Sequence, residues 1–214
     1  MITTYFFDLD GTLADTDADI RRSWKAALDD IGIACPRFDE LFVAGPTIED
    51  MAKILFPGQY TPALGAAIRE GFGRHYDGDG FPLTKEYPGI IDAVRRLKAA
   101  GKRVYIATNK RFVGATLIAK HFGWDMFDAI YAGDMHMNDP IGKLTKTALL
   151  AFAMREIGVS PDDCVMVGDT ANDFKAAAAN AMPSIGVTWG YGTPDELLLA
   201  SRLIHSPEEI IDCR

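Results

Sequence analysis

Five short apolar runs rich in β-favouring residues punctuate the chain, at Thr4–Phe7, Arg103–Ala107, Ala129–Ala132, Cys164–Val167 and Ser184–Val187. Several are apolar almost throughout, the pattern of strands covered on both faces. Helix-like segments separate most of them. Phe112–Phe122 follows the second run, and Thr145–Ile157 follows the third, with Leu149, Leu150, Phe152, Ala153 and Ile157 at helical spacing. The alanine-dominated Phe174–Ala181 joins the fourth to the fifth. This alternation predicts an α/β fold, a doubly wound parallel sheet built from βαβ units. Right-handed crossovers would bring the carboxyl ends of all the strands to one edge.

The long interval between Phe7 and Arg103 breaks that rhythm, because most of it contains no convincing strand. Asp17–Ile31 places Ile20, Trp24, Ala27, Leu28 and Ile31 on one helical face and ends at Gly32. Thr47–Leu55 opens on a Thr47 N-cap with Asp50 three residues on, a variant of the capping box. Pro62–Phe72 reads as a third helix and His75–Pro82 as a loop. Pro88 and Gly89 announce a helix at Ile90–Ala100, closed by Gly101. The chain therefore divides into a core, 1–14 with 86–214, and a small all-helical insertion, 15–85.

Charge narrows the range of partners. Lys and Arg total 22 against 30 Asp and Glu, a net charge of −8. Such a surface repels nucleic-acid backbones and anionic lipid headgroups, so neither nucleic acid nor a membrane is expected as a partner. A local basic pocket for a small phosphorylated substrate is still allowed. The start of the chain has no basic segment before its short apolar run, and no stretch is long enough to span a bilayer. Cys35, Cys164 and Cys213 are far apart and form no CxxC pair, which argues against a disulfide framework or a zinc site. A cytoplasmic protein is expected.

The chemistry concentrates where the runs end. Asp8 and Asp10 close the first run in Asp8-Leu9-Asp10-Gly11-Thr12-Leu13; two residues apart on extended backbone, they point to the same side. Carboxylates that close repel unless a proton or cation lies between them, and Mg²⁺ prefers such oxygen ligands. An acidic loop that merely ends a strand is the plainer alternative. The fourth run ends in Gly168-Asp169-Thr170-Ala171-Asn172-Asp173, where Asp173 also suits a helix N-terminus. The second ends in Thr108-Asn109-Lys110-Arg111, which reads either as an anion cradle or as a simple helix cap. Lys143 and Lys146 stand at a helix start, where a cation opposes the helix dipole.

In this order the segments resemble the haloacid dehalogenase superfamily of aspartate-nucleophile phosphohydrolases. Asp8-Leu9-Asp10-Gly11-Thr12-Leu13 is similar to its first motif, Thr108-Asn109 to the second, and Gly168-Asp169 through Asp173 to the fourth. Gly45-Pro46, Tyr87-Pro88-Gly89 and Gly186–Gly192 resemble its phosphoglycolate phosphatase-like branch, which carries a helical cap after the first motif. The third motif departs from the commoner Lys-Pro-x-Pro. Two lysines compete in Gly142-Lys143-Leu144-Thr145-Lys146-Thr147, and Lys146, twenty-three residues before Asp169, is favoured.

The resemblance implies a two-step hydrolysis of a small phosphorylated metabolite. Asp8 would be the nucleophile and Asp10 the acid and then the base, while Thr108, Asn109 and Lys146 would hold the phosphate. Mg²⁺ would sit among Asp8, the Asp10 carbonyl and Asp169, with Asp173 ordering the site. Apart from the resemblance, a monomer or weak homodimer is expected, the apolar faces of the inserted helices being the one candidate dimer contact. The motifs also admit a phosphomutase, a 5'-nucleotidase or a pyrophosphatase, and a non-catalytic binding protein is the alternative from another class.

Overall fold

The computed structural model describes residues 1–211; Cys213 lies outside them, and Cys35 and Cys164 are free thiols. In chain order the elements are β1 (Thr4–Phe7), β2 (Ala14–Asp15), α1 (Asp17–Asp30), α2 (Phe38–Leu41), α3 (Ile48–Leu55) and α4 (Pro62–Gly78). They continue with β3 (Lys85–Glu86), α5 (Ile90–Ala99), β4 (Arg103–Thr108), α6 (Phe112–His121), β5 (Ala129–Ala132) and α7 (Lys146–Ile157). The last are β6 (Cys164–Gly168), α8 (Ala171–Ala179), β7 (Ser184–Val187), α9 (Pro194–Leu197) and β8 (Arg202–Ile204). The chain forms two compact units. One holds Met1–Asp15 and everything from Lys85 onward, the other Thr16–Thr84. Asp15 and Lys85 fall in the first because they pair across the antiparallel ribbon β2–β3.

The larger unit is built on a parallel sheet of order β5-β4-β1-β6-β7-β8. The doubly wound α/β architecture expected from the alternating runs is what forms. β1 lies between β4 and β6, with Phe7 level with Ile106 on one side and Val167 on the other. Such a reversal of strand order opens a crevice at the carboxyl ends of the central strands. All four β1 residues are buried, as a strand covered on both faces requires. Phe6 packs among Tyr105, Leu149, Leu150, Met166 and Ala177, so α7 and α8 cover that face. On the other face Phe7 meets Phe127 edge-on at 6.1 Å, and α5 buries Ile90, Val94 and Leu97.

Three expectations need correction. β8 is a sixth parallel strand that the sequence reading missed; Arg202-Leu203-Ile204 is too short to show a pattern, and pairing with β7 makes it a strand. The ribbon β2–β3 was missed for the same reason. The loop expected from His75 is helical through Gly78. Tyr76 stacks on Phe72 one turn back at 5.0 Å and meets Phe81 at 5.1 Å, and burying that ring carries α4 past its glycines.

In the helical unit α1 packs against α4 at close range, with Gly71 facing Ala27 where a further methyl would lie 3.0 Å from the alanine Cβ. Thr47 caps α3, its hydroxyl accepting from the Asp50 N–H at 3.2 Å. Asp19 is 1% exposed. Its Oδ2 accepts from the Leu83 N–H at 3.0 Å, the Thr84 N–H at 2.7 Å and the Thr84 hydroxyl at 2.8 Å. Asp19→Ala strands the buried Thr84 donors and the partly buried Leu83 N–H, and should cost about 2–3 kcal/mol. Hydrogen exchange at Leu83 and Thr84 should speed up together with the loss of stability, and unchanged protection there would contradict the assignment.

Candidate active site

The edge of the sheet assembles from the three central strands. β1 is continued by Asp8, whose N–H donates to the Val167 carbonyl at 2.9 Å. The chain then folds tightly about the Leu9 carbonyl, which accepts from Thr12, Leu13 and Ala14. Gly11 sits at φ +78° in this turn, and any Cβ there would run into the Asp169 carboxylate. β6 ends at Gly168, so Asp169 stands at the same edge, fully buried. α8 starts two residues later with a capping box in which Asp173 Oδ2 accepts from the Thr170 N–H and hydroxyl at 3.2 and 3.0 Å.

Asp8, Asp169 and Asp173 each offer a carboxylate oxygen, all within 4.8 Å of one another. Lys146, the first residue of α7 and 4% exposed, lies 2.9 Å from Asp8 Oδ1 and 2.9 Å from Asp173 Oδ1. Lys143 is exposed in the preceding loop. Burial pulls the Lys146 ammonium down, yet Asp173 and Asp8 together outweigh it and hold it above the ordinary lysine range. Burial pushes Asp8 up to about 6, against the pull of Lys146 and with Asp173 and Asp10 adding to the rise. Asp169 is pushed up to about 8, first by burial and then by Asp8 and Asp173. Three crowded anionic oxygens in a mostly dry site suit a hard divalent cation such as Mg²⁺, which would relieve their repulsion.

The other residues singled out in the sequence take distinct places. The Asp10 carboxylate stands outside the three-carboxylate group and accepts from Lys110 Nζ at 2.7 Å. Thr108, the last residue of β4, is buried and does not cap α6; its hydroxyl accepts from the Lys110 N–H at 3.1 Å. Asn109 is exposed at the same turn.

Two features escaped the sequence reading. One is Lys110. The other is the loop after β7, where the Tyr191 N–H donates to Asp169 Oδ2 at 2.7 Å while Thr12 Oγ1 donates to Oδ1 at 3.1 Å. Its neighbour Gly190 leaves no room for a side chain beside Gly11 and Asp169. The Tyr191 phenol donates to Asp15 at 2.9 Å, and the Trp189 indole donates to the Thr12 carbonyl at 3.2 Å. The run Gly186–Gly192 was visible in the sequence as a family segment, but a backbone N–H that fixes a carboxylate leaves no side-chain signature.

A doubly wound α/β sheet here presents a lysine-paired aspartate beside further acidic groups at its switch point, where proteins of this architecture bind their ligands. A family model of haloacid dehalogenase-like hydrolases matches residues 2–180, and the chain belongs to that family. The tyrosine-protein kinase PtkA of Mycobacterium tuberculosis is 30% identical over 96% of this chain and 69% of its own length. A phosphoglycolate phosphatase of Agrobacterium fabrum is 34% identical over 86% of this chain and 80% of its own. A Clostridium acetobutylicum structure described as a predicted phosphatase superposes with a TM-score of 0.85 at 29% identity, covering 99% of this chain and 97% of that one. Family and phosphatase-named relatives together make the chain a phosphatase-type enzyme.

The raised carboxylates give a pH dependence. From an ordinary 3.8, Asp8 rises to about 6 and Asp169 to about 8 on folding, so the cation-free folded protein keeps protons that the unfolded chain releases. Its stability should therefore fall as pH climbs from about 4 to about 8. Mg²⁺ should oppose that fall, adding about 2.7 kcal/mol at a hundredfold excess over its dissociation constant. Melting curves with chelator and with Mg²⁺ across that range test this. A chelated protein that melts no earlier at the upper end, with no Mg²⁺ effect, would contradict it.

Proposed function

We propose that the protein is a Mg²⁺-dependent phosphomonoester hydrolase acting on a small phosphorylated metabolite through an aspartyl-phosphate, as in the phosphoglycolate phosphatase-like branch. The placement of Asp8 carries the reading: it ends the central strand, outside the Asp10 ion pair, with Lys146 2.9 Å from its Oδ1. An Asp8 carboxylate oxygen attacks phosphorus as the bond to the leaving oxygen breaks, and Asp10 gives that oxygen its proton. Asp10, now a carboxylate, takes a proton from water as the water oxygen attacks the same phosphorus. The phosphoryl–Asp8 bond breaks, releasing phosphate and restoring both carboxyl groups.

Thr108 and Lys146 hold the non-reacting phosphate oxygens, with Asn109 at the same turn. Lys146 also neutralises Asp8, so that an anionic phosphate can approach an anionic nucleophile. Asp8, Asp169 and the Asp10 carbonyl would hold Mg²⁺, with Asp173 ordering the group; the ion supplies charge neutralisation for the carboxylates and phosphoryl oxygens. The segment Thr16–Thr84 is assigned as the cap of this branch.

The test is phosphate release from p-nitrophenyl phosphate with and without Mg²⁺, in wild type and Asp8→Asn, followed by a panel of phosphorylated metabolites. Asp8→Asn should keep its fold and lose at least about a thousandfold in turnover. Lys146→Met should lose activity as well, by about a hundredfold or more. Near-wild-type release by Asp8→Asn would overturn the reading. Phosphate moved within a sugar without release would make the enzyme a mutase. Transfer from ATP to tyrosine would favour the activity named for the mycobacterial relative.

A further inference from the structure

The edge of the sheet contains two buried lysine–aspartate pairs, and the function proposed above uses one of them. Lys146 serves Asp8 from the start of α7. Lys110 serves Asp10 from the turn after β4, its Nζ 2.7 Å from Asp10 Oδ1, with the lysine side chain 7% exposed and the aspartate 18%. Lys110 is itself fixed at the backbone, where its N–H donates to the Thr108 hydroxyl at 3.1 Å. Asp8 directly follows β1, and Asp10 lies two residues on, where the chain turns about the Leu9 carbonyl. Yet the oxygens that cluster within 4.8 Å belong to Asp8, Asp169 and Asp173, and the Asp10 carboxylate is elsewhere.

A short charge-assisted bond to a nearly buried ammonium engages the Asp10 carboxylate at that separate place. From this geometry we infer that Lys110 is a positioning residue. It draws the Asp10 carboxylate out of the cation-binding group and holds it toward β4, where it serves proton transfer and does not become a fourth cation ligand. The inference rests on Asp10 exchanging protons with the leaving oxygen, the role given to it above. Lys110 then acts through Asp10 and has no need to touch the phosphate.

The consequence is specific, because a misplaced general acid harms only substrates whose leaving oxygen needs a proton. The experiment measures kcat/KM for a series of substituted phenyl phosphates of graded leaving-group basicity, in Mg²⁺, for wild type, Asp10→Asn, Lys110→Met, Lys110→Gln and Lys110→Arg. Thermal melting accompanies each variant. Asp10→Asn should show a steep dependence on leaving-group basicity where wild type shows a shallow one. Lys110→Met and Lys110→Gln should show the same steepening, losing about tenfold more on phenyl phosphate than on p-nitrophenyl phosphate. Lys110→Arg should restore much of the wild-type slope. The double variant Asp10→Asn/Lys110→Met should lose little beyond Asp10→Asn alone.

An equal loss on every ester in the Lys110 variants, with a raised KM, would overturn the proposal and make Lys110 a phosphate-binding cation. Unchanged slopes in Lys110→Gln and Lys110→Met, with Asp10→Asn steep, would overturn it while leaving the role of Asp10 intact. A shallow slope in Asp10→Asn itself would overturn the role of Asp10, and the proposal with it.

Discussion

Everything at the edge of this sheet depends on the crowding of Asp8, Asp169 and Asp173, whose oxygens lie within 4.8 Å of one another in a mostly buried setting. Negative charges that close cannot all be accommodated in a dry site without compensation. The protein supplies part of it with Lys146, which reaches Asp8 and Asp173 at once. More comes from donors that fix Asp169, the Thr12 hydroxyl and the Tyr191 N–H. What remains is relieved by protons, as the raised Asp8 and Asp169 show, or by a cation. The same imbalance suits the edge to a divalent ion, in keeping with the phosphate chemistry proposed for it.

The fold makes that crowding unavoidable. Parallel strands point their carboxyl ends the same way, and β1 sits between β4 and β6 in matched register. Asp8 therefore emerges between the residues that end its two neighbours. α7 and α8, which bury their apolar faces against Phe6, Tyr105 and Met166, bring Lys146 and Asp173 to that edge by their N-terminal turns. A lysine at the start of α7 works against the helix dipole. Its two carboxylate partners explain why it is tolerated there, 4% exposed.

Much of this was legible in the sequence, and what was not has physical reasons. The apolar runs gave the parallel sheet because strands buried on both faces must be apolar throughout. Strand-end carboxylates pointed to this edge because topology fixes where strand ends meet. β8 escaped because three residues carry no period, and the last turn of α4 because the packing of Tyr76 overrode its glycines. Lys143 and Lys146 could be separated only by their offset from Asp169; the structure puts Lys146 against Asp8 and leaves Lys143 exposed. Lys110 was hidden because the turn it occupies reads as a cap or a cradle until the neighbouring strand is placed. The grip of Tyr191 on Asp169 is a main-chain contact, for which the glycine at 190 was the visible trace.

Passage of the phosphoryl group through Asp8, as proposed, is open to a chemical trap that catches the group there. Enzyme turning over an aryl phosphate in Mg²⁺ is quenched in acid, reduced with borohydride and digested, and the peptide around residue 8 is read by mass spectrometry. Reduction of an acyl phosphate converts aspartate to homoserine. Homoserine is expected at position 8, formed only when substrate is present. Turnover with Asp8 unmodified, or with the modification at another carboxylate, would contradict it.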